Sequence, residues 1–411
     1  MISSLPNQQV RVSELADLIK QHEPASRHSS SMRVGIYHNS LWAKYKGAVF
    51  TQVYRLSQQC GPEVSFIQIG ETEDDRISLG GVDLTYHQYP FRLLIRGNYD
   101  RAGNLRRTAA VVLDLIRHPV DLVVLSGYDK IENWTMLLLC ILLRRRRAVF
   151  CDSTMYDRPR VHWKSWAKRL FFARCDGFFG YGLRSKQYLM SLGAKEADII
   201  IPCLAAALPH DYDASKVLSD YRRQNAAIFN SPRFLYVGRL TPAKGLDDLL
   251  RAFNPVRARI PAAHLDIIGG GSLRDVLVDR INELGLEQAV TLHGPRNLSD
   301  IVPHFLSSVA LVLPSRSEPW GLVVNEALSY GCPVVVSDRC GCVPELVIEG
   351  VTGYGFETGD IEALSAALLS VSRLSEDRAT TAGKCIDVVS AFTAERAASR
   401  MLEGCTQLLN A

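Results

Sequence analysis

From Met32 onward the chain alternates two kinds of segment. Short apolar runs, among them MRVGIYHNS, VSFIQIG, DLVVLSG, AVFCDST, GFFGYG and DIIIPC, are bounded by Gly, Asp or Ser. Longer segments with a helical apolar period, such as AVFTQVYRLSQQC and NLRRTAAVVLDLIRHP, lie between them. Uninterrupted apolar strands alternating with amphipathic helices predict a parallel sheet covered on both faces. The alternation pauses over 205–231, a polar stretch carrying Pro and Asp. It resumes with RFLYVGRL, LDIIGGGS, AVTLHG, VALVLPS and CPVVVSD, each followed by a helical segment. This predicts two α/β, doubly wound, Rossmann-like domains, 32–215 and 216–393. An amphipathic helix over 394–411 returns toward the first domain, and residues 1–31, ending in a polar Ser/His/Pro stretch, form a mobile lead-in. Ligands of such sheets bind outside the carboxyl ends of the strands, so two facing domains enclose a cleft there.

Composition narrows the class. The 411 residues are 47% apolar and 22% charged, which excludes a largely disordered chain. Ten cysteines without paired spacing read as reduced thiols. The N-terminus lacks a basic-then-apolar leader, and the longest apolar run, Met136 to Leu143, is too short to span a bilayer. The expected location is the cytoplasm. Net charge is +4, yet it is unevenly spread. Residues 33–200 hold 25 Lys/Arg against 16 Asp/Glu, and residues 201–411 hold 19 against 24. Such asymmetry is what a first half facing an anionic partner would show, and equally what ordinary surface variation would give.

The densest chemistry lies in LVLPSRSEPWGLVVNEALSYGCPVVVSD. Strand LVLP leads into SRSEPWG, and a helix opens near Leu322. Free amides of Gly321, Leu322 and Val323 then point into the cleft, where the helix dipole favours an anion. Glu326, further along, has a carboxylate suited to two hydrogen bonds from a ribose diol. Glu318, just before the helix, reaches another part of the same ligand. Alone, either glutamate would read as an ordinary helix charge; the pair around an anion-seeking helix end suits a nucleotide sugar. A second cluster is FLYVGRLTPAKGLDDLLRAF. Its strand ends at Gly238, and Arg239 and Lys244 follow on a loop broken by Pro242. Two cations there can clamp a diphosphate and stabilise its charge as it leaves.

In order, GRLTPAKG, IIGGGSLRDVL, LHGPRNLSDIVPHFLSSVALVLPSRSEPWGLVVNEAL and GCPVVVSDRCGCVPELVIEGVTGYGF resemble a family 4 glycosyltransferase of the retaining, GT-B class. The resemblance covers most of 233–370. It implies a UDP- or GDP-sugar as substrate, no cofactor and no catalytic metal. By position it implies Arg239 and Lys244 on the diphosphate, Glu326 on the ribose and Glu318 on the sugar hydroxyls. Backbone donors would come from Gly321 to Val323, with Gly294 and Arg296 of HGPRN bordering the base. Family members carry a glycine-containing loop where Lys44, Lys46 and Gly47 stand just ahead of a helix; relatives often have two glycines, and only Gly47 is present here. Where relatives carry a histidine after the strand AVFCDST, this chain has Cys151 and Asp152, with Asp157 and Arg158 nearby. Asp152 is therefore the candidate to orient a sugar hydroxyl or steady an oxocarbenium-like charge; it reads equally well as a helix cap.

Other motifs are discounted. Gly269 to Gly271 read as a tight strand–helix turn, since no acidic residue completes a dinucleotide fingerprint. Cys340 and Cys342 lack the second pair that zinc requires. WTMLLLCILLRRRR and RVHWKSWAKRLFFARC mix basic with aromatic and aliphatic residues, as a helix on an anionic membrane does, or as a core-facing helix with solvated cations does. No nucleic-acid-binding motif is present. The expected reaction is hexosyl transfer to a saccharide or lipid-linked saccharide hydroxyl, at the cytosolic face if a membrane is involved. Its alternatives are a nucleotide-sugar epimerase or hydrolase of the same fold, a nicotinamide dehydrogenase, and a non-catalytic sugar-nucleotide-binding protein.

Overall fold

The computed structural model describes residues 32–74, 76, 81–156, 162–223, 231–374 and 377–411, with the side chains of 162–165 left aside. The lead-in and the pair Asp157 and Arg158 lie outside the described residues.

Among them, two parallel sheets carry the architecture. The first contains β1 (Arg33–Ser40), β2 (Glu63–Gly70), β3 (Phe91–Leu93), β4 (Leu122–Leu125), β5 (Arg146–Cys151), β6 (Gly177–Gly180) and β7 (Ile199–Ile200). Their order is β3-β2-β1-β4-β5-β6-β7. The second contains β8 (Arg233–Val237), β9 (His264–Ile268), β10 (Val290–Gly294), β11 (Ala310–Leu313), β12 (Val334–Ser337) and β13 (Gly353–Phe356), ordered β10-β9-β8-β11-β12-β13. Both orders reverse beside the first strand, between β1 and β4 and between β8 and β11. Such reversals open the crevices in which α/β sheets bind ligands.

Central strands are buried from end to end, as LVVL in β4 and ALVL in β11 are. That explains their unbroken apolar runs: helices cover both faces. On one side of the first sheet lie the helices Asn104–Arg117, Ile131–Leu142, His162–Phe172 and Leu183–Ser191, which share a core with Val123, Leu125 and Val149. The helices Lys44–Gln59 and Ala394–Asn410 pack together on the other side. The chain therefore crosses between the sheets twice. The stretch read as a pause contains a helix, Ala214–Arg223, whose Val217 and Tyr221 join the core of the second sheet. The 215/216 boundary falls in its first turn. The terminal helix returns to the first sheet and is close-packed there: a Cβ on Gly177 would lie 2.5 Å from Leu408, and one on Gly404 2.7 Å from Ile200.

Candidate active site

Three strand–helix loops of the second sheet are locked together through their backbones. Gly238 donates its amide to Ile268 (3.0 Å), and Leu240 donates to Gly270 (2.9 Å). This approach requires glycine: Gly269 and Gly271 have φ of +145° and +155°, and a Cβ would lie 1.8 Å from the Gly238 carbonyl and 2.4 Å from that of Leu240. The glycine-rich turn thus packs loop on loop. Gly245 (φ +65°) does the same on the other side, where a Cβ would meet the Pro314 carbonyl at 2.1 Å. Arg316 completes the lock, donating its amide to Ala243 (2.8 Å) and its guanidinium to Asp248 (2.8–3.0 Å).

This lock sets Lys244 against Glu318. Lys244 Nζ donates to Glu318 Oε2, and both side chains are largely buried (13% and 17% exposed). Arg239 belongs to the same group. Glu318 raises and Arg239 lowers the Tyr236 hydroxyl, whose pKa burial has already pushed far above its usual value. Tyr236 in turn donates to the Arg239 carbonyl (2.9 Å).

Gly321, at φ +98°, turns the chain into the helix Leu322–Ser329, with no side chain capping its first amides. Trp320 Nε1 donates to Asn325 Oδ1 (2.7 Å) and holds the turn. Glu326 follows one turn in. Burial pushes its carboxyl up to about 7, and Lys44, from the first domain, pulls it back. Lys44 is ion-paired to Asp83 (3.1 Å). Burial and Asp83 raise the Tyr86 hydroxyl, and Glu326 adds to this, so the first domain faces this carboxylate across the cleft.

The opposite wall is a cavity of about 1050 Å³, lined by Trp42, Tyr45, Lys46, Asp152 and Tyr181 of the first domain and by Ser317 and Pro319 of the second. Asp152 follows β5 and acts electrostatically on Lys46 and both tyrosines. Lys46 is 3% exposed, and its Nζ lies 4.0 Å from the Phe150 ring centroid. Sequence reasoning had placed Lys44, Lys46 and Gly47 ahead of a helix. The helix instead begins at Lys44, and the Gly47 amide is bonded to the Ala43 carbonyl (3.0 Å). Glycine is needed there because a Cβ would lie 2.8 Å from the His87 ring. Gly294 (φ +72°) and Arg296 sit to one side: Gly294 accepts the Gly269 amide (2.9 Å), and Arg296 is exposed.

Sequence reasoning missed how the domains touch. Glu345 Oε1 accepts the Leu183 amide at the start of the helix Leu183–Ser191, and Arg184 donates to the Asp338 carbonyl. The guanidiniums of Arg184 and Arg339 lie over the Tyr156 ring, 5.0 and 4.7 Å from its centroid. Gly182 fits under Trp320, where a Cβ would clash at 2.5 Å. No local pattern marks the partners that meet across the domains, which lie far apart along the chain. One grouping with metal-ligand spacing also emerges among the described residues, Asp266, His293 and His304. Its carboxylate is already held by Arg233 (2.9 and 3.0 Å) and His293 (2.7 Å).

The profile of the family described as glycosyl transferases group 1 matches residues 219–383. The second domain belongs to that family. A glycogen synthase of Mycobacterium tuberculosis is 36% identical over 137 residues, 33% of each chain. A GDP-mannose-dependent alpha-(1-6)-phosphatidylinositol monomannoside mannosyltransferase of Mycolicibacterium smegmatis is 30% identical over 153 residues, 36% of this chain and 40% of that one. The alignments thus span about a third to two-fifths of these relatives' lengths. The fold likeness reaches further. Anabaena HepE in complex with UDP and glucose superimposes over 92% of this chain and 100% of its own, with a TM-score of 0.68 and 18% identity. A sucrose-phosphate synthase from Thermosynechococcus elongatus gives 0.68 over 92% and 99%, at 18% identity. Both sheets therefore share the two-domain GT-B architecture of these structures.

Proposed function

We propose that the chain is a retaining, metal-independent glycosyltransferase. It moves a hexosyl unit from a UDP- or GDP-sugar to a hydroxyl of a saccharide or lipid-linked saccharide. The observation that carries this is the Lys244–Glu318 pair set by three locked loops beside the uncapped start of the Leu322–Ser329 helix. Charge for a diphosphate comes from Arg239, Lys244 and the amides of Gly321 to Val323. Glu318 directs the sugar hydroxyls and Glu326 the ribose. With two side-chain cations and a helix end on the leaving group, charge neutralisation asks for no metal.

Retention follows from a front-side displacement. The bond from the anomeric carbon to the diphosphate oxygen breaks as the bond to the acceptor oxygen forms on the same face. The acceptor proton passes to the departing diphosphate oxygen. Lys244 and Arg239 stabilise the charge that grows there, while Asp152, on the opposite wall, orients a hydroxyl. UDP or GDP should raise the melting temperature, because a ligand bound only by the native form stabilises it. Donor and acceptor together should release nucleoside diphosphate and an α-configured product from an α-configured donor. Release without an acceptor-dependent product would make the enzyme a hydrolase, and no release over a donor panel would end the proposal.

Glu326 supplies a pH test. Its folded carboxyl titrates near 7, above the usual carboxylate range, so lowering the pH through 7 protonates it and removes an acceptor for the ribose hydroxyls. Donor KM should rise by up to about tenfold per pH unit below that point. Glu326→Gln should abolish this limb; an unchanged pH profile in the variant would remove Glu326 from the donor site.

A further inference from the structure

The outer surface of the first domain combines exposed apolar side chains with charge of one sign. The helices Asn104–Arg117 and Ile131–Leu142 pack side by side and bury Val111, Leu115, Met136 and Cys140 against the sheet. Their outer faces are also apolar. Leu105 is 88% exposed, Ile116 56%, Leu138 57% and Leu142 79%; on the neighbouring helix His162–Phe172, Trp166 is 68% exposed. Leu138 and Leu142 are one turn apart, so each pair of turns presents a stripe to the outside. Isolated exposed leucines are ordinary; a set gathered on adjacent helices is an interaction surface.

Charge identifies the partner. The carboxylates on these three helices, Asp114 and Glu132, are both turned inward. Asp114 is held by Arg92 (2.8 and 3.0 Å), and Glu132 by Arg107 (2.9 Å). Among the described residues, the exposed charges on the helices and on the turns after Leu142 and Phe172 are Arg106, Arg117, Arg144, Arg169 and Arg174, all positive. Exposed carboxylates near these helices, among them Asp100, Asp121, Asp129 and Asp152, lie in the flanking loops. Not every arginine of the run 144–147 contributes: Arg145 is bonded to the Leu115 carbonyl (3.1 Å), and Arg147 is ion-paired to Asp176 (3.6 Å). A second copy of the same face would oppose arginine to arginine. A bilayer with anionic headgroups satisfies both features, since the apolar side chains enter the interface and the arginines meet phosphates.

We infer that this face, centred on Leu138, Leu142 and Trp166, docks the enzyme on an anionic lipid surface. No helix of the described residues is long and apolar enough to cross a membrane, so the contact lies in the interface plane. Two of the helices also reach the cleft: Trp134, Lys168 and Arg169 line the 1050 Å³ cavity. An acceptor anchored in the lipid is thereby brought to the wall that carries Asp152. That last step rests on the transferase reading; the docking does not.

Docking is tested on the full chain with phosphatidylglycerol-containing and pure phosphatidylcholine vesicles, with no nucleotide present. Co-sedimentation should be at least tenfold stronger on the anionic vesicles and fall in high salt. Trp166 should blue-shift on binding, a signal absent in Trp166→Phe. Leu138→Ser with Leu142→Ser should lower binding tenfold or more, and Arg144→Gln about fivefold. Both variants should keep the melting temperature and the stabilisation by UDP or GDP, because these side chains are outside the core. Equal binding to both vesicle types, no binding to either, or unchanged binding in the leucine variant overturns the inference. So does a dimer in light scattering that the leucine substitutions dissociate. Failure of donor turnover with lipid binding intact would instead remove the transferase reading alone.

Discussion

Lys244→Met should lower kcat by about 10²–10³-fold, the cost of removing one preorganised charge donor from a developing oxyanion. The side chain also has a structural partner, and the two roles must be separated. Lys244 and Glu318 are largely buried, so taking away the ammonium leaves an uncompensated carboxylate. Breaking such a pair costs more than losing an exposed one; about 2 kcal/mol of stability is expected here. Lys244→Met combined with Glu318→Gln removes both charges and should recover most of that stability. Activity should stay low in the double variant, because the Lys244 cation is gone from the diphosphate and Arg239 alone remains. Recovery of kcat together with the melting temperature would make Lys244 a structural residue. A single variant within threefold of the parent would remove it from the leaving-group site.

The contrast between what the chain spells out and what it conceals has a physical basis. Both sheets were legible because strands covered on both faces must be continuously apolar. The edge strands β3 and β13 were not: FRL is only half-buried, and GYGF carries two glycines. The approach of Glu318 to the start of the Leu322–Ser329 helix was legible because both lie on one loop and the helix that follows, where local spacing determines geometry. Cys340 and Cys342, which lack the second pair that zinc requires, are buried free thiols, and burial holds both above the usual range. The other wall was harder. Lys46 finds Phe150 and Tyr181 only once distant segments of the first domain have packed, and Lys44 comes within electrostatic reach of Glu326 only after the two sheets face each other. The basic run 144–147 misled for a related reason. Arg146 already begins β5, so half the run belongs to a strand and not to a helix end.

Lys46→Met should stabilise the protein at neutral pH, and the gain should vanish in alkali. The Lys46 ammonium is buried, and its Nζ has no hydrogen-bond partner among the described residues. Burial lowers its pKa to about 8, against the pull of Cys203 and Asp152. The unfolded chain holds this proton up to about pH 10.5, while the folded chain releases it near 8. Stability from this group is therefore greatest above pH 10.5, falls as the pH drops toward 8, and is constant below that. The penalty at pH 7 is about 3 kcal/mol, since each pKa unit corresponds to about 1.4 kcal/mol. Methionine fills similar volume without the charge, so denaturant unfolding should show Lys46→Met ahead by about that amount at pH 7 and level with the parent near pH 11. Lys46 shares the cavity wall with Asp152, so under the proposed function kcat/KM for transfer should fall at least tenfold in the more stable variant. Stability and activity rising together would show that the lysine is a packing defect; equal stability at pH 7 would mean that its ammonium is solvated in the folded chain.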